Sequence, residues 1–226
     1  MRVLAVIPAY NEEESLASTV EGLVATCPGV DYLVIDDGSV DGTNRVCVER
    51  GLRHLRMPVN TGLSSVFRTG MKYALRHDYD AVVQFDADGQ HLPEYIAPMA
   101  QALEEQDADV VIASRALAGE APQGLRNVGS KLISWLIKVT TSATVTDPTS
   151  GMRMYNRRMI ELFATGFDVH PEPDTVAFVA RRGGRVVEVP ARMRERQGGE
   201  SYLTLGRSVA YMLRTCLSIL LYQWLR

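Results

Sequence analysis

Residues 82–91 read Val82-Val83-Gln84-Phe85-Asp86-Ala87-Asp88-Gly89-Gln90-His91, and the reading of the whole chain turns on them. A short apolar run leads into two carboxylates spaced i, i+2, and a further oxygen ligand, Gln90, follows two residues later. A continuous apolar run of this length suits a strand buried on both faces of a sheet. On an extended backbone, residues i, i+2 and i+4 project to one side. Asp86, Asp88 and Gln90 are therefore expected to converge on one hard cation, Mg²⁺ or Mn²⁺. Such ions take oxygen ligands and leave positions open for phosphate. An Asp-x-Asp taken alone is also an ordinary acidic strand-to-loop turn, and only its surroundings separate the two.

The pattern repeats on either side. Val3–Ile7 is an apolar run ended by Pro8. Asn11 and Glu14 form a capping-box pattern ahead of a helix with Leu16, Val20, Leu23 and Val24 on its apolar side. Tyr32–Ile35 is a second strand, Gly38–Gly42 turns into a helix ending near Gly51, and Leu55–Met57 is a third strand. Asn60-Thr61-Gly62 introduces a helix carrying Val66, Phe67, Gly70, Met71, Ala74 and Leu75. After residues 82–91 comes a helix begun by Pro93 and a strand at Val110–Ala113. To about residue 115 the alternation is βαβαβαβαβ, which predicts a parallel sheet with helices on both faces. The rhythm then changes. A polar loop (Gly119–Asn127) precedes an amphipathic helix with Val128, Leu132, Trp135, Leu136 and Val139. A Thr-rich turn, a short strand at Met152–Tyr155, a helix and a last strand at Val186–Val189 follow. No linker intervenes, so residues 1–202 are expected to form one α/β domain. Its first half (1–115) is read as the nucleotide half and its second (116–202) as the acceptor half.

The 226 residues carry 24 basic and 27 acidic side chains, a net charge of −3. That balance speaks against a nucleic-acid partner held by bulk charge. Cys27, Cys47 and Cys216 are widely spaced and outside any metal-ligand pattern, and read as buried thiols of a reducing compartment. The chain opens directly on a strand, so no signal peptide is expected, and no apolar stretch reaches the ~20 residues needed to cross a bilayer.

In open α/β sheets, ligands lie beyond the carboxyl ends of the strands. Four sequences fall there: Pro8-Ala9-Tyr10-Asn11-Glu12, Asp36-Asp37-Gly38-Ser39, Asp86-Ala87-Asp88 and Ser114-Arg115. Each has an ordinary explanation as a turn, a helix start or a surface ion pair. Together they predict an acidic, oxygen-rich crevice with an Arg at its rim, suited to a cation–diphosphate complex. Neither Gly-x-Gly-x-x-Gly nor a Gly-Lys-Ser loop is present, so metal and Arg, not a glycine loop, are expected to hold phosphate.

Ile7–Glu12, Ile35–Thr43 and Phe85–His91 resemble the family-2 glycosyltransferases of the glycosyltransferase-A fold. Asp147-Pro148-Thr149-Ser150-Gly151-Met152-Arg153 and Arg196-Gln197-Gly198-Gly199-Glu200-Ser201 resemble two motifs of the polyprenyl-phosphate glycosyltransferases, the dolichol-phosphate mannosyltransferase group. The five motifs occur in order and span nearly all of residues 1–202. The resemblance implies a Rossmann-like, mostly parallel sheet and transfer of a sugar from a nucleotide-sugar of the GDP-mannose or UDP-glucose type to a polyprenyl phosphate. It implies that Pro8, Tyr10, Glu12, Ile35, Asp37, Asp86, Ala87 and Arg115 bind the nucleotide-sugar, with Asp37 accepting from a base N–H or a ribose hydroxyl. Asp86, Asp88 and Gln90 would hold Mg²⁺ or Mn²⁺. Arg115 and Arg196 would lie near the diphosphate and the acceptor phosphate, with Arg126, Lys131, Arg153 and Ser201 as further acceptor-phosphate candidates. Arg suits this work because its planar fork matches phosphate oxygens.

An anionic lipid phosphate needs little or no general base, and in-line attack at the anomeric carbon would invert configuration. A saccharide hydroxyl acceptor would need a base. Asp147 is the first candidate, with Glu172 or Asp174 behind it; Asp147 before Pro148 is equally a turn cap. His170-Pro171-Glu172-Pro173-Asp174 departs from the plainer stretch of the family, and Tyr202 stands where a Lys often follows Ser201. A binding protein without catalysis is the third reading, against which the intact Asp-x-Asp and both Arg motifs stand.

Leu203–Arg226 contains Arg207, Arg214 and Arg226 and no acid. Its charge-free stretch Thr215–Leu225 is too short to span, and its Leu, Trp and Tyr content suits a membrane interface. The alternatives are a C-terminal helix packed on the domain or one pairing two subunits in a homodimer. The expected setting is the cytoplasmic face of the cell membrane, peripheral, with a small membrane protein as partner.

Overall fold

The computed structural model describes residues 1–120, 125–166, 171–194 and 212–222. Seven strands form one sheet: β1 (Val3–Ala9), β2 (Asp31–Asp36), β3 (His54–Arg56), β4 (Ala81–Gln84), β5 (Val110–Ser114), β6 (Arg153–Asn156) and β7 (Val186–Pro190). Their spatial order is β3-β2-β1-β4-β6-β5-β7. The helices are α1 (Leu16–Thr26), α2 (Thr43–Glu49), α3 (Leu63–Arg76), α4 (Ile96–Glu105), α5 (Leu125–Thr141), α6 (Arg157–Thr165) and α7 (Pro173–Arg181), with a 3₁₀ turn at Pro93–Tyr95 and a further helical segment at 212–222.

The alternating side chains of the strands sort the core into two layers. Leu4, Val6, Leu33, Ile35, Val82 and Ile112 face one side, beneath α3, α5, α6 and α7. Ala5, Ile7, Val34, Val83, Val111 and Ala113 face the other, beneath α1, α2 and α4. Both faces being covered is why β1, β4 and β5 read as unbroken apolar runs. In the first layer, Phe67, Tyr155 and Phe163 meet edge to face with centroids 5.1–5.2 Å apart, each pair adding about 0.5–1.5 kcal/mol beyond its burial. α3 comes close to β1 because residue 70 is glycine. A Cβ there would stand 2.6 and 2.7 Å from the two methyls of Val6.

The expected parallel alternation holds through β5, but the sheet is mixed. β6 enters antiparallel to both β4 and β5, while β7 returns parallel to β5. Antiparallel insertion puts the start of β6 beside the carboxyl ends of β4 and β5, with Arg153 opposite Ile112 and Met154 opposite Val83. The loop 147–152 is thereby delivered to the edge where β4 releases Asp86.

Three local expectations need correction. Asn11 does not cap a helix. It adopts φ 57°, its amide donates to Ser39 Oγ, and its side-chain oxygen accepts from Val40 N. Asn tolerates the left-handed region, and here it ties the β1 loop to the β2 loop, so α1 begins only at Leu16 after Ser15. The second half holds two helices, α6 and α7, where one was expected between β6 and β7. On α5, the side chains buried against the core are Ile133, Leu136 and Ile137, whereas Val128, Leu132, Trp135 and Val139 point outward, Trp135 with 58% of its surface exposed. Of the three cysteines, Cys47 is buried and Cys27 and Cys216 are half-buried.

Candidate active site

A cleft of ≈ 370 Å³ opens at the carboxyl ends of β1, β2 and β4, lined by Pro8, Ala9, Tyr10, Glu12, Asp37, Asn60, Gly62, Leu63, Val66, Asp86, Ala87 and Asp88. This is where ligands sit in open α/β sheets. Six of the eight residues expected around a nucleotide-sugar line it: Pro8, Tyr10, Glu12, Asp37, Asp86 and Ala87. Arg115 is not among the lining residues, and neither is Ile35. Ile35 is fully buried in the core layer beneath α3, because the strand alternation that aims Asp36 one way turns Ile35 the other.

Asp37 follows β2 directly. Its Oδ1 accepts from Thr61 N (2.8 Å) and Thr61 Oγ1 (2.7 Å), and its Oδ2 from Gly62 N (2.8 Å). A carboxylate offers about four acceptor sites, so three neutral donors orient it and leave room for about one more partner. The loop can fold this tightly because Gly38, at φ 69°, lies against residues 59 and 60, where a Cβ would come 2.6 Å from Val59 C. Asn60, Thr61 and Gly62 were legible in the sequence only as a helix start; their hold on Asp37 was not.

Asp86 and Asp88 share the cleft without the alternation expected of them. The chain turns at residues 87–88 and Gly89 takes φ 76°, so side chains no longer alternate by twos. Asp88 Oδ1 accepts from Gln90 N (3.0 Å), and the Gln90 side chain reaches instead toward Arg194 O, Nε2 at 3.4 Å. Gln90 therefore does not stand with the two aspartates on the cleft wall. Asp86 accepts from Gln84 Nε2 (3.3 Å) and donates its own amide to His91 Nδ1 (2.9 Å). That bond leaves the His91 proton on Nε2, which lies 3.6 Å from Asp86 Oδ2. Gly151 closes the other side tightly: a Cβ would stand 3.1 Å from Asp86 Oδ2 and 3.5 Å from His91 Nε2, so the Asp86 carboxylate would have to shift slightly. No cluster of three His, Cys, Asp or Glu side chains positioned to hold a metal occurs among the described residues. Two hard carboxylates on one wall still fit a Mg²⁺- or Mn²⁺-type ion, which commonly takes one or two protein carboxylates and completes its shell with phosphate and water.

Arg115 follows β5 and is held away from that wall. Its backbone N and Nε donate to Asp147 Oδ2 (3.0 and 2.7 Å) and its Nη2 to Asp147 Oδ1 (2.8 Å) and Thr149 Oγ1 (3.1 Å). Among the described residues, Nη1 takes no partner. Burial by itself would raise the Asp147 carboxyl, but the hydrogen bonds and charge of Arg115 prevail and hold it below the usual carboxylate range. Asp147 is fully buried, ionised and engaged on both oxygens, so it orients Arg115 and does not present a free base. Of the other base candidates, Asp174 is buried and accepts from Ser218 Oγ (2.5 Å), and Glu172 precedes the first turn of α7.

Glu188, on β7, escaped the sequence reading. Its carboxylate accepts from Thr146 N (2.7 Å), Thr146 Oγ1 and Asp147 N (2.8 Å), fixing the loop that carries Asp147. A lone Glu in a Val-rich strand gave no signal; only the β5–β7 pairing brings it there. Arg153 is also corrected. It is buried and donates to Ser150 O, Pro148 O and Glu172 O at 2.7–3.0 Å, so its fork is spent stapling the 148–150 loop and is not offered to a phosphate. Lys131 is exposed on α5. The Arg126 side chain, Arg196 and Ser201 lie outside what the structure describes.

An acidic cleft at the switch edge of a mixed α/β sheet, with paired aspartates on one wall, has the architecture of the glycosyltransferase-A fold. Residues 4–163 match the Glycosyl transferase family 2 domain, and the chain belongs to that family and is a glycosyltransferase. It is 36% identical over 223 residues to an undecaprenyl-phosphate mannosyltransferase of Micrococcus luteus, covering 91% of this chain and 89% of the relative. It is 31% identical over 218 residues to a polyprenol monophosphomannose synthase of Mycolicibacterium smegmatis, covering 90% and 81%. Among solved structures, glucosyl-3-phosphoglycerate synthase from Mycobacterium tuberculosis superposes with TM-score 0.72 at 20% identity over 98% of this chain and 79% of that one. The same enzyme with Mn²⁺, UDP-glucose and phosphoglyceric acid gives 0.70, again at 20% identity and the same coverage. The likeness to these structures is one of fold.

Proposed function

We propose that this chain transfers a sugar from a nucleotide-sugar to a polyprenyl phosphate, with inversion and with a divalent metal, at the cytoplasmic membrane face. The observation that carries the reading is the meeting of Asp37, Asp86 and Asp88 on one cleft. The relatives named above supply the lipid acceptor, and mannose is the sugar to try first because both are named for it. GDP-mannose and UDP-glucose remain the two donor types.

In this reading Asp37 orients the nucleoside, and Pro8, Tyr10 and Ala87 wall it in. Asp86 and Asp88 would hold Mg²⁺ or Mn²⁺, which supplies Lewis-acid stabilisation to the departing diphosphate. Gln84, His91 and Gly151 set the Asp86 carboxylate with neutral neighbours, which orients it without cancelling its charge. Arg115, aimed by Asp147, offers Nη1 to a phosphate oxygen. The acceptor phosphate is already anionic, so no residue need remove a proton; the engagement of Asp147 with Arg115 favours this acceptor over a sugar hydroxyl. Residues 1–115 serve the donor and 116–202 the acceptor, with Arg126, Lys131, Arg196 and Ser201 as lipid-phosphate contacts.

The test is incubation of the purified chain with Mg²⁺ or Mn²⁺, a short polyprenyl phosphate and a panel of nucleotide-sugars, scoring nucleoside diphosphate and glycolipid. One productive donor, lost with chelator or with Asp88→Ala, is the expected result. Metal-dependent nucleotide binding without glycolipid from any donor would refute the lipid acceptor.

A further inference from the structure

α5 is apolar on two faces. Ile133, Leu136 and Ile137 are buried against the core, and Val128, Leu132, Trp135 and Val139 are exposed. At 3.6 residues per turn these four lie within about 60° of one another, a single outward stripe. Lys131 and Lys138 lie about 60–80° round from Val128 on one flank, and α5 contains no acidic residue. The segment 212–222 packs against α5 and α7. Met212 rests on Gly129 of α5, where even a Cβ would collide, and Ile219 and Thr215 are buried beneath the segment. Its outward residues are Leu213, Leu217, Leu220 and Leu221, with Arg214 exposed beside them and again no acid between 212 and 222. Eight large apolar side chains thus stand in water on two adjacent elements of a chain whose net charge is −3.

Lone exposed apolar residues mean little, but a contiguous group marks a contact surface. Here the charged residues of the two elements among the described residues are all cationic and the patch carries an outward Trp, the composition of a surface that lies in the headgroup region of a membrane. Basic residues at such a surface are drawn to anionic lipid, each worth about 1 kcal/mol. We propose that the outer stripe of α5 and the segment 212–222 together form one face that docks on an anionic lipid bilayer. The inner side of α5 bears Ser130, whose Oγ lies 3.3 Å from Thr149 Oγ1, itself bonded to Arg115. One helix therefore joins the lipid-facing surface to the arginine cluster. On the lipid-acceptor reading above, this is how a membrane-borne phosphate meets the site.

The test is flotation of the full chain with phosphatidylcholine vesicles and with vesicles containing about one third phosphatidylglycerol, at low and at physiological salt. Leu132→Glu/Val139→Glu tests the apolar stripe and Lys131→Glu/Lys138→Glu its charged border. All four positions are exposed, and circular dichroism checks the fold. The expected result is preference for anionic vesicles, a loss of at least tenfold in bound fraction over free for the first variant, and a smaller, salt-sensitive loss for the second. Equal flotation of variants and native chain would overturn the proposal. So would a native dimer that the first variant converts to monomer, since a second copy would then cover the face. Flotation needs no turnover: a chain that floats but glycosylates no polyprenyl phosphate would refute the acceptor and leave the surface standing.

Discussion

Arg115→Met isolates the pair around which the second half of the site is organised. The substitution keeps a long apolar stem but removes every side-chain bond from Arg115 to Asp147, leaving a fully buried carboxylate with its backbone contact to residue 115 and its bond from Thr149 Oγ1. Breaking a buried pair on one side costs about 3–5 kcal/mol. The Arg115 side chain is 23% exposed, so the low end, about 3 kcal/mol, applies. For a chain of this size each kcal/mol moves the midpoint by about 2–4 °C, a fall of about 6–12 °C at pH 7. The sign with pH follows from the carboxyl. In the native chain its pKa is depressed, so its stabilisation is present above the unfolded value near 3.8 and is lost as pH falls through the lower folded value. Without Arg115, burial dominates and the pKa rises above the unfolded value, so the variant gains stability as pH falls toward 5 and the gap to the native chain narrows. Asp147→Asn in the Arg115→Met background removes the stranded charge, and the double variant should lose at least about 1 kcal/mol less than the sum of the singles. Thermal and urea unfolding of the four proteins at pH 7 and pH 5 measure all three quantities. A midpoint unmoved by Arg115→Met, or a gap that widens on acidification, would refute the role given to Asp147.

Gly70→Ala drives a Cβ into the Val6 methyls and should cost about 1–3 kcal/mol despite the better helix former; adding Val6→Ala should recover most of it in urea unfolding. Gly151→Val crowds the Asp86 carboxylate against His91, and sugar transfer should fall by about tenfold to a hundredfold, with an unfolding midpoint within a few degrees of native. Glu188→Ala releases the amides and hydroxyl that hold the 146–147 loop, losing about 1.5–3 kcal/mol in the same unfolding assay, while Glu188→Gln loses less. The Cys47 thiol, pushed up to about 11 by burial, should react with a thiol reagent at pH 8 far more slowly than Cys27 or Cys216, as mass mapping of the native protein would report.

Much of the fold was legible because its signals are local. Apolar runs such as Val3–Ile7 and Val110–Ala113 mark strands covered on both faces, and turn formers after each mark the edge where ligands bind. Pro8, Tyr10, Glu12, Asp37, Asp86, Ala87 and Asp88 could therefore be assigned to one crevice from the order of strand ends. Local signals misled where a side chain had a distant partner. Asn11 looked like a cap until Ser39 and Val40 claimed it, Arg153 looked free until three carbonyls claimed it, and the apolar side read for residues 128–139 splits, with Leu136 facing inward beside Ile133 and Ile137 and Val128, Leu132, Trp135 and Val139 facing outward.

The sequence by itself determined that a parallel α/β half precedes a differently built half, and that acidic motifs and Arg115 fall at strand ends. Apolar periodicity and turn chemistry are written residue by residue, so these needed no coordinates. The reversal of β6 between β4 and β5, the hold of Glu188 on Asp147, the exclusion of Ile35 and Gln90 from the cleft, and the outward turn of the α5 stripe were decided only in three dimensions. The β6 reversal and the Glu188 contact depend on which strand lies beside which, and pairing between segments tens of residues apart leaves no periodic trace in either of them, whereas Ile35 and Gln90 are turned away by strand alternation and by the turn at residues 87–89.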